Sequence, residues 1–353
     1  MVYDANMTEI KSVPITFSGE FVIPVGVKRI CDKAFSGCDR ITAFRVEEGS
    51  EQFSIVDGKL ISADKSRLLQ VPMADQVICR VPACVTRLNS EAFADWRKFK
   101  RFDVDPDNQT FCSVDGVLYS KDMRRLILCP GGWTGFLRIP DGVVSVDHGA
   151  FFCCFELTGI RLPPSCIEFE CSIVAGKLRA VEVDDVNPRF SSVGGVLYSK
   201  DMKRLIYFPE ALGGRLRIPD GVESVEDFAF LIGSGLTEVS LPASLADIRN
   251  CLYRCFGCGL VAFKVADDNP HYTSVDGILY SRDMKELIRF PVAKGGWFVV
   301  PPQVEGIGDY AFCDCHQVER IDVPQTIIRI SDNAFEGCED RVVIDRRVRL
   351  DIY

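Results

Sequence analysis

Apolar residues along this chain gather into short runs that end in proline, at Pro24, Pro82, Pro140, Pro163, Pro219, Pro242, Pro301 and Pro324. In six of the eight, the dipeptide Ala-Phe begins ten residues later, at Ala34, Ala92, Ala150, Ala229, Ala311 and Ala334. The other two place Ile173-Val174 and Leu252-Tyr253 there, pairs of similar bulk. Successive prolines are 58, 58, 23, 56, 23, 59 and 23 residues apart. A unit of 23 residues therefore repeats, and four of the spacings carry an insert of 33 to 36 residues. In ELTGIRLP, Leu157, Ile160 and Leu162 are expected to face the core, and the strand period of two leaves Arg161, between the last two, outward. No such unit buries its apolar face alone, so the units stack into a solenoid with a continuous core. The Ala-Phe pair is expected in a short helix or 3₁₀ turn.

The inserts repeat as well, reading FSIVDGKLISADKSRLLQVP, FCSVDGVLYSKDMRRLILCP, FSSVGGVLYSKDMKRLIYFP and YTSVDGILYSRDMKELIRFP. Asp-Gly or Gly-Gly between β-rich runs marks a tight hairpin, because a type I′ turn needs positive φ at both central residues. The Lys-Asp or Arg-Asp pair after the second run gives another turn. Each insert is therefore a three-stranded antiparallel meander, near residues 47–75, 105–135, 184–214 and 266–296. Residues 1–14 are left as an N-terminal extension to a single repeat domain over 15–353.

The unit written as IPDGVVSVDHGAFFCCFELTGIRLP resembles the BspA-type leucine-rich repeat, and the SVDGVLYSKD segments resemble inserts common in that family. The resemblance runs from about Ile15 to the C-terminus. It implies a leucine-rich-repeat solenoid with a parallel sheet along one face. It also implies a protein of the bacterial or protist cell surface that binds host matrix proteins, other cells or other bacteria. The N-terminus, MVYDANMTEIKSVPITF, lacks a basic region followed by an apolar one, so no signal peptide is expected at this terminus.

Composition narrows the chemistry. Lys and Arg number 41 against 50 Asp and Glu, a net charge of −9, which disfavours nucleic acid as a partner. No apolar run approaches the length of a membrane helix, so no membrane insertion is expected. No assembled acid, base or nucleophile is visible, no cofactor fingerprint appears, and the expectation is a protein without enzymatic activity. His148, His271 and His316 stand outside any metalloprotease pattern. Asp57, Asp115 and Asp276 look like turn residues, and Gly194 takes the same place in the third insert.

Of the 16 cysteines, Cys38, Cys154, Cys315 and Cys338 each lie three residues after the Phe of an Ala-Phe pair. They read as a buried, reduced ladder. Cys251, Cys255 and Cys258, and Cys313, Cys315 and His316, have the spacing of half metal sites, with no second pair to complete a tetrahedral set. A disulfide within 251–258, or between Cys166 and Cys171, is the alternative in a secreted chain.

Surface is what remains. The outward residues of successive strands form a ladder, Arg45, Asp103, Arg161, Glu182, Ser240, Lys264 and Asp322, flanked by Arg101, Arg179, Glu238 and Arg320. Repeat solenoids bind partners on such a face. The alternating signs equally suit a self-paired, solvated face. Trp133 and Trp297, each after a Gly-Gly pair, are read as cover for the core edge, with an aromatic anchor for a partner as the alternative, and the ladder itself lacks the aromatic platforms of a sugar site.

Overall fold

A computed structural model of the chain describes residues 2–72, 74, 77–88, 99–169, 176–227, 229–230, 235–248 and 259–344. Its repeating turn is built almost wholly from extended chain and tight bends. After seven of the eight repeat prolines the chain folds back at once, as the N–H of Val27, Val85, Val143, Val222, Leu245, Val304 and Ile327 donates to the proline carbonyl three residues earlier. Those seven side chains are buried. A two-residue strand follows, such as Arg29–Ile30 or Ser145–Val146, then the Ala-Phe segment, then a longer strand such as Ile41–Val46 or Leu157–Leu162.

Of the two expectations for the Ala-Phe segments, the turn holds and the helix does not. Ala34 N–H donates to Cys31 O, Ser36 to Lys33 and Cys38 to Phe35, at 2.9, 3.1 and 3.0 Å. The three-residue bonds recur at every second residue, giving consecutive bends rather than a helix. Among the described residues, helix is limited to the 3₁₀ turn Glu339–Arg341. Ala92-Phe93 and the pairs Ile173-Val174 and Leu252-Tyr253 lie outside the described residues. The aromatic rings form a stack. Phe312 lies 5.1 Å from Phe290 and 5.2 Å from Phe335, nearly parallel to both. Beneath Phe21, Phe35 meets its ring edge-on at 5.1 Å.

The inserts are meanders, as their sequences require. Asp57, Asp115, Gly194 and Asp276 have φ of 49 to 59°, and the following Gly58, Gly116, Gly195 and Gly277 have φ of 73 to 85°. Both central residues of each turn are thus left-handed, the type I′ signature. Three of these glycines also permit a close approach. A Cβ on Gly116 would stand 2.6 Å from Arg101 Cβ, on Gly195 2.9 Å from Arg179 O, and on Gly277 2.8 Å from Ala262 Cβ. Their carbonyls accept bonds from Phe102, Val181 and Phe263 N–H on the strand before the insert.

The third strand of each meander then joins the repeat array. Arg125–Leu128 pairs in parallel with Ser145–Val146, Arg204–Tyr207 with Ser224–Val225, and Glu286–Arg289 with Gly306–Ile307. The N–H groups of Cys129, Phe208 and Phe290 bond the carbonyls of Ala150, Ala229 and Ala311 in the next turn. An insert therefore supplies a solenoid turn of its own in place of an Ala-Phe bend. The N-terminal residues do the same. Val2–Tyr3 and Glu9–Ser12 form an antiparallel pair, Glu9–Ser12 runs parallel to Arg29–Ile30, and Ile10 is buried in the core.

The chain divides into two compact units, Met1–Thr158 with Ser165–Ala175, and Gly159–Pro164 with Gly176–Tyr353. Each is a β-solenoid with an apolar interior. The first holds Ile10, Phe21, Phe44 and Leu60 in one cluster and Leu68, Phe99, Phe102 and Leu118 in another. The second holds one large cluster, including Leu205, Phe230, Phe263, Tyr280, Phe312 and Cys338.

Buried asparagines stitch adjacent turns. Asn108 Nδ2 donates to Pro82 O and Val85 O at 2.8 and 2.9 Å, while its Oδ1 accepts from Thr110 and Phe111 N–H at 2.8 Å. Asn269 repeats the arrangement with Pro242, Leu245, His271 and Tyr272. Asn187 reaches Pro163 O and caps Arg189 and Phe190. One amide side chain saturates carbonyls and N–H groups that the bend would otherwise bury unpaired.

Candidate functional site

The longer strands carry the ladder of candidate residues at one outward register. Arg45, Asp103, Glu182 and Lys264 are exposed, and Arg161, Ser240 and Asp322 half-buried. Arg161 lies directly opposite Glu182, and Ser240 directly opposite Lys264. The other members stand on separate sheets: Arg45 on Ile41–Val46 beside Gly19–Ile23, Asp103 on Arg101–Val104 beside Ile78–Val81, and Asp322 on Val318–Val323. The row is interrupted wherever an insert intervenes, because a loop takes the place of the next rung. After the second insert, for example, Gly132 N–H makes a single bond to Phe99 O.

Most charges on this face are paired with each other. Arg45 Nε donates to Glu20 at 3.2 Å, Lys264 Nζ to Glu238 at 2.9 Å, and Arg161 to Asp184 at 3.2 Å with Glu182 4.0 Å away. Arg80 faces Asp103 at 3.8 Å. Arg320 Nε donates to Asp322 Oδ1 at 2.5 Å and holds that carboxyl below the usual carboxylate range. In the second unit a groove of about 310 Å³ opens on this face, lined by Arg217, Asp220, Ser240, Pro242 and Lys264.

The two tryptophans part company. Trp133 is half-buried in the loop after Pro130, with its indole nitrogen enclosed, as expected of core cover. Trp297 is 65% exposed and stands within the strand Gly296–Val299 on the outward face. The Gly-Gly-Trp motif sits in two registers: Trp133 precedes its strand's proline by seven residues, Trp297 by four. That distance is the sequence signal separating them. It makes Trp297 the counterpart of Phe136 and Arg215, which are also exposed.

A second charged row, absent from the sequence reading, lines the short strands. Arg125 meets Asp147 through two bonds of 3.1 and 2.6 Å, Lys203 meets Glu223 at 2.7 Å, Arg204 meets Glu226 at 2.5 Å, and Lys285 meets Glu305 at 2.8 Å. Its signal is the basic residue just after each Ser-x-Asp-Met turn, with an acid 20 to 22 residues on. A groove of about 430 Å³ here is bordered by Asp283, Lys285, Glu286, Glu305 and Arg329.

The cysteine ladder is buried and its thiols are free. Cys38, Cys154, Cys315 and Cys338 lie against carbonyls of the preceding turn, at 3.5, 3.6, 3.7 and 3.2 Å. Burial pushes the Cys79, Cys166, Cys315 and Cys338 thiols up to about 12, and Cys313 to about 11. Among the described residues, no three His, Cys, Asp or Glu side chains gather as a metal would require. Cys171, Cys251, Cys255 and Cys258 lie outside the described residues.

Six copies of the BspA type leucine rich repeat match the chain, across residues 16–55, 213–269 and 296–345. Over those residues the chain carries BspA-type leucine-rich repeats. That repeat fold generally mediates protein–protein interaction and is generally non-enzymatic. A search of curated proteins finds no match. Similar solved structures include a leucine-rich repeat protein from Eubacterium ventriosum, at 16% identity and TM-score 0.49, covering 94% of this chain and 86% of that one. Others are a leucine rich cell surface protein from Faecalibacterium prausnitzii, at 16% identity, TM-score 0.43 and coverage of 85% and 86%, and the pneumococcal vaccine antigen PcpA, at 14%, 0.38 and coverage of 98% and 84%. Among the described residues, no helix is long and apolar enough to cross a membrane.

Proposed function

We propose that this BspA-type repeat protein is a non-enzymatic adhesion module that binds a protein partner through its outward strand face. The partner class is a host matrix or cell-surface protein, and Arg45, Asp103, Arg161, Glu182, Ser240, Lys264 and Asp322 contribute contacts. The observation carrying this reading is the shared register of these residues, which projects charged side chains from the strand face, with a groove beside Ser240 and Lys264 in the second unit. Alternating charges of this kind set orientation and association rate more than raw affinity.

The test is a binding screen against immobilised matrix proteins and surface extracts, with wild type beside a variant carrying Arg45→Glu, Arg161→Glu and Lys264→Glu. Binding lost by the folded variant supports the strand face. Binding unchanged moves the contact elsewhere on the molecule. A structural scaffold without a dedicated ligand is the second reading, and the self-pairing of Arg45, Arg161 and Lys264 favours it. Absence of binding by both proteins selects it.

A further inference from the structure

Among the described residues Trp297 is the largest exposed apolar side chain, and its ring is held in place. The indole Nε1–H donates to Asp322 Oδ2 at 2.9 Å. The guanidinium carbon of Arg320, the cross-strand neighbour of Trp297, sits 5.1 Å from the ring centre. Arg320 Nε donates in turn to Asp322 Oδ1 at 2.5 Å. The three side chains thus fix one another. Arg320 lies over one face of the ring, and the residue is still 65% exposed.

Hydrogen-bonding capacity around this ring is unspent. A carboxylate has about four lone-pair positions and a guanidinium five N–H groups. The contacts above use two of the former and one of the latter. Val299 and Val343, both exposed, flank Asp322 on the two neighbouring strands. A flat apolar surface therefore borders donors and acceptors at set positions.

An apolar protein side chain laid on the ring would desolvate those polar groups without satisfying them, which is costly. A simple anion is opposed by Asp322 and a simple cation by Arg320. A neutral polyhydroxylated ring meets every requirement: its C–H face stacks on the indole, and its hydroxyls both donate to the carboxylate and accept from the guanidinium. We propose that Trp297, Arg320 and Asp322 form a binding site for a hexopyranose unit of a glycan. The strand register that places Trp297 outward supplies the aromatic platform which the sequence alone did not reveal. This site shares Asp322 with the residues assigned to protein binding, while Arg45, Arg161 and Lys264 take no part in it.

The experiment is saturation-transfer NMR and calorimetric titration with methyl β-galactopyranoside, methyl α-mannopyranoside and N-acetylglucosamine, followed by binding to immobilised oligosaccharides. At least one sugar is expected to bind at about millimolar affinity, as a single small ligand does. Trp297→Ala and Asp322→Asn are each expected to weaken it about tenfold or more, with Trp297→Phe retaining most of it. Circular dichroism and thermal melting keep loss of fold separate from loss of site. The Arg45→Glu, Arg161→Glu, Lys264→Glu variant retains sugar binding whether or not protein binding exists. Three results overturn the proposal: no sugar bound at its solubility limit, sugar binding indifferent to Trp297→Ala, or Trp297-dependent binding seen only on proteins stripped of their glycans.

Discussion

Single polar residues hold the bends between turns, and the buried asparagines show why. Asn269 satisfies two carbonyls and two N–H groups from a position with no solvent access. Asn269→Ala leaves those backbone groups with no side-chain partner, and the expected cost is about 2–4 kcal/mol, read by chemical denaturation. The Asn-Pro sequence at 269–270 is a turn signal, and Asn269 N–H closes a turn onto Ala266 O. Its reach of 24 to 27 residues back to the preceding turn was not legible, because it depends on stacking between units distant in sequence. The acidic residue of the Ser-x-Asp turn acts more locally. Asp64 accepts bonds from Ser62, Ser66 and the Ser66 N–H, which hold its carboxyl at about 2. Asp122, Asp201 and Asp283 are lowered for the same reason. A depressed carboxyl contributes stability above the unfolded value of about 4, and that contribution disappears as pH falls towards 2. Thermal midpoints measured from pH 6 to pH 2 should therefore fall more steeply for the wild type than for Asp64→Asn.

At the scale of elements, the inserts are integral parts of the stack. Three of the four hairpin turns bond the strand before them, at Gly116, Gly195 and Gly277, and the third strands pair with the turn after them. The four type I′ glycines separate these effects. Gly58→Ala meets nothing within 4 Å and incurs only the left-handed backbone cost, about 1–2 kcal/mol. Gly116→Ala adds a collision with Arg101, so its destabilisation should exceed that of Gly58→Ala by about 1–3 kcal/mol in parallel urea titrations. Asp-Gly spacing predicted both turns equally. The difference lies in what the turn rests upon, which local sequence does not encode.

For the molecule as a whole, the described cysteines become a map of the core. Cys79, Cys166, Cys315 and Cys338 are buried with thiols pushed up to about 12, whereas Cys84 is exposed. At pH 8 such a thiol is ionised in only about one molecule in ten thousand, so it resists alkylation. Iodoacetamide treatment of the native protein, followed by peptide mass spectrometry, should modify Cys84 first and the other four only after unfolding.

The sequence by itself determined the repeat, the meanders and the outward register of the charged ladder, because all three follow from spacing and from side-chain period. It placed Arg161 opposite the core and the Asp-Gly pairs in left-handed turns, and the structure agrees. Tertiary structure alone decided which outward residues become neighbours. Arg161 meets Glu182 and Ser240 meets Lys264, while Arg45, Asp103 and Asp322 stand on other sheets. The physical reason is that a solenoid aligns residues by the number of chain turns between them. An insert that contributes a turn of its own shifts that count, and with it the rung on which every later side chain stands.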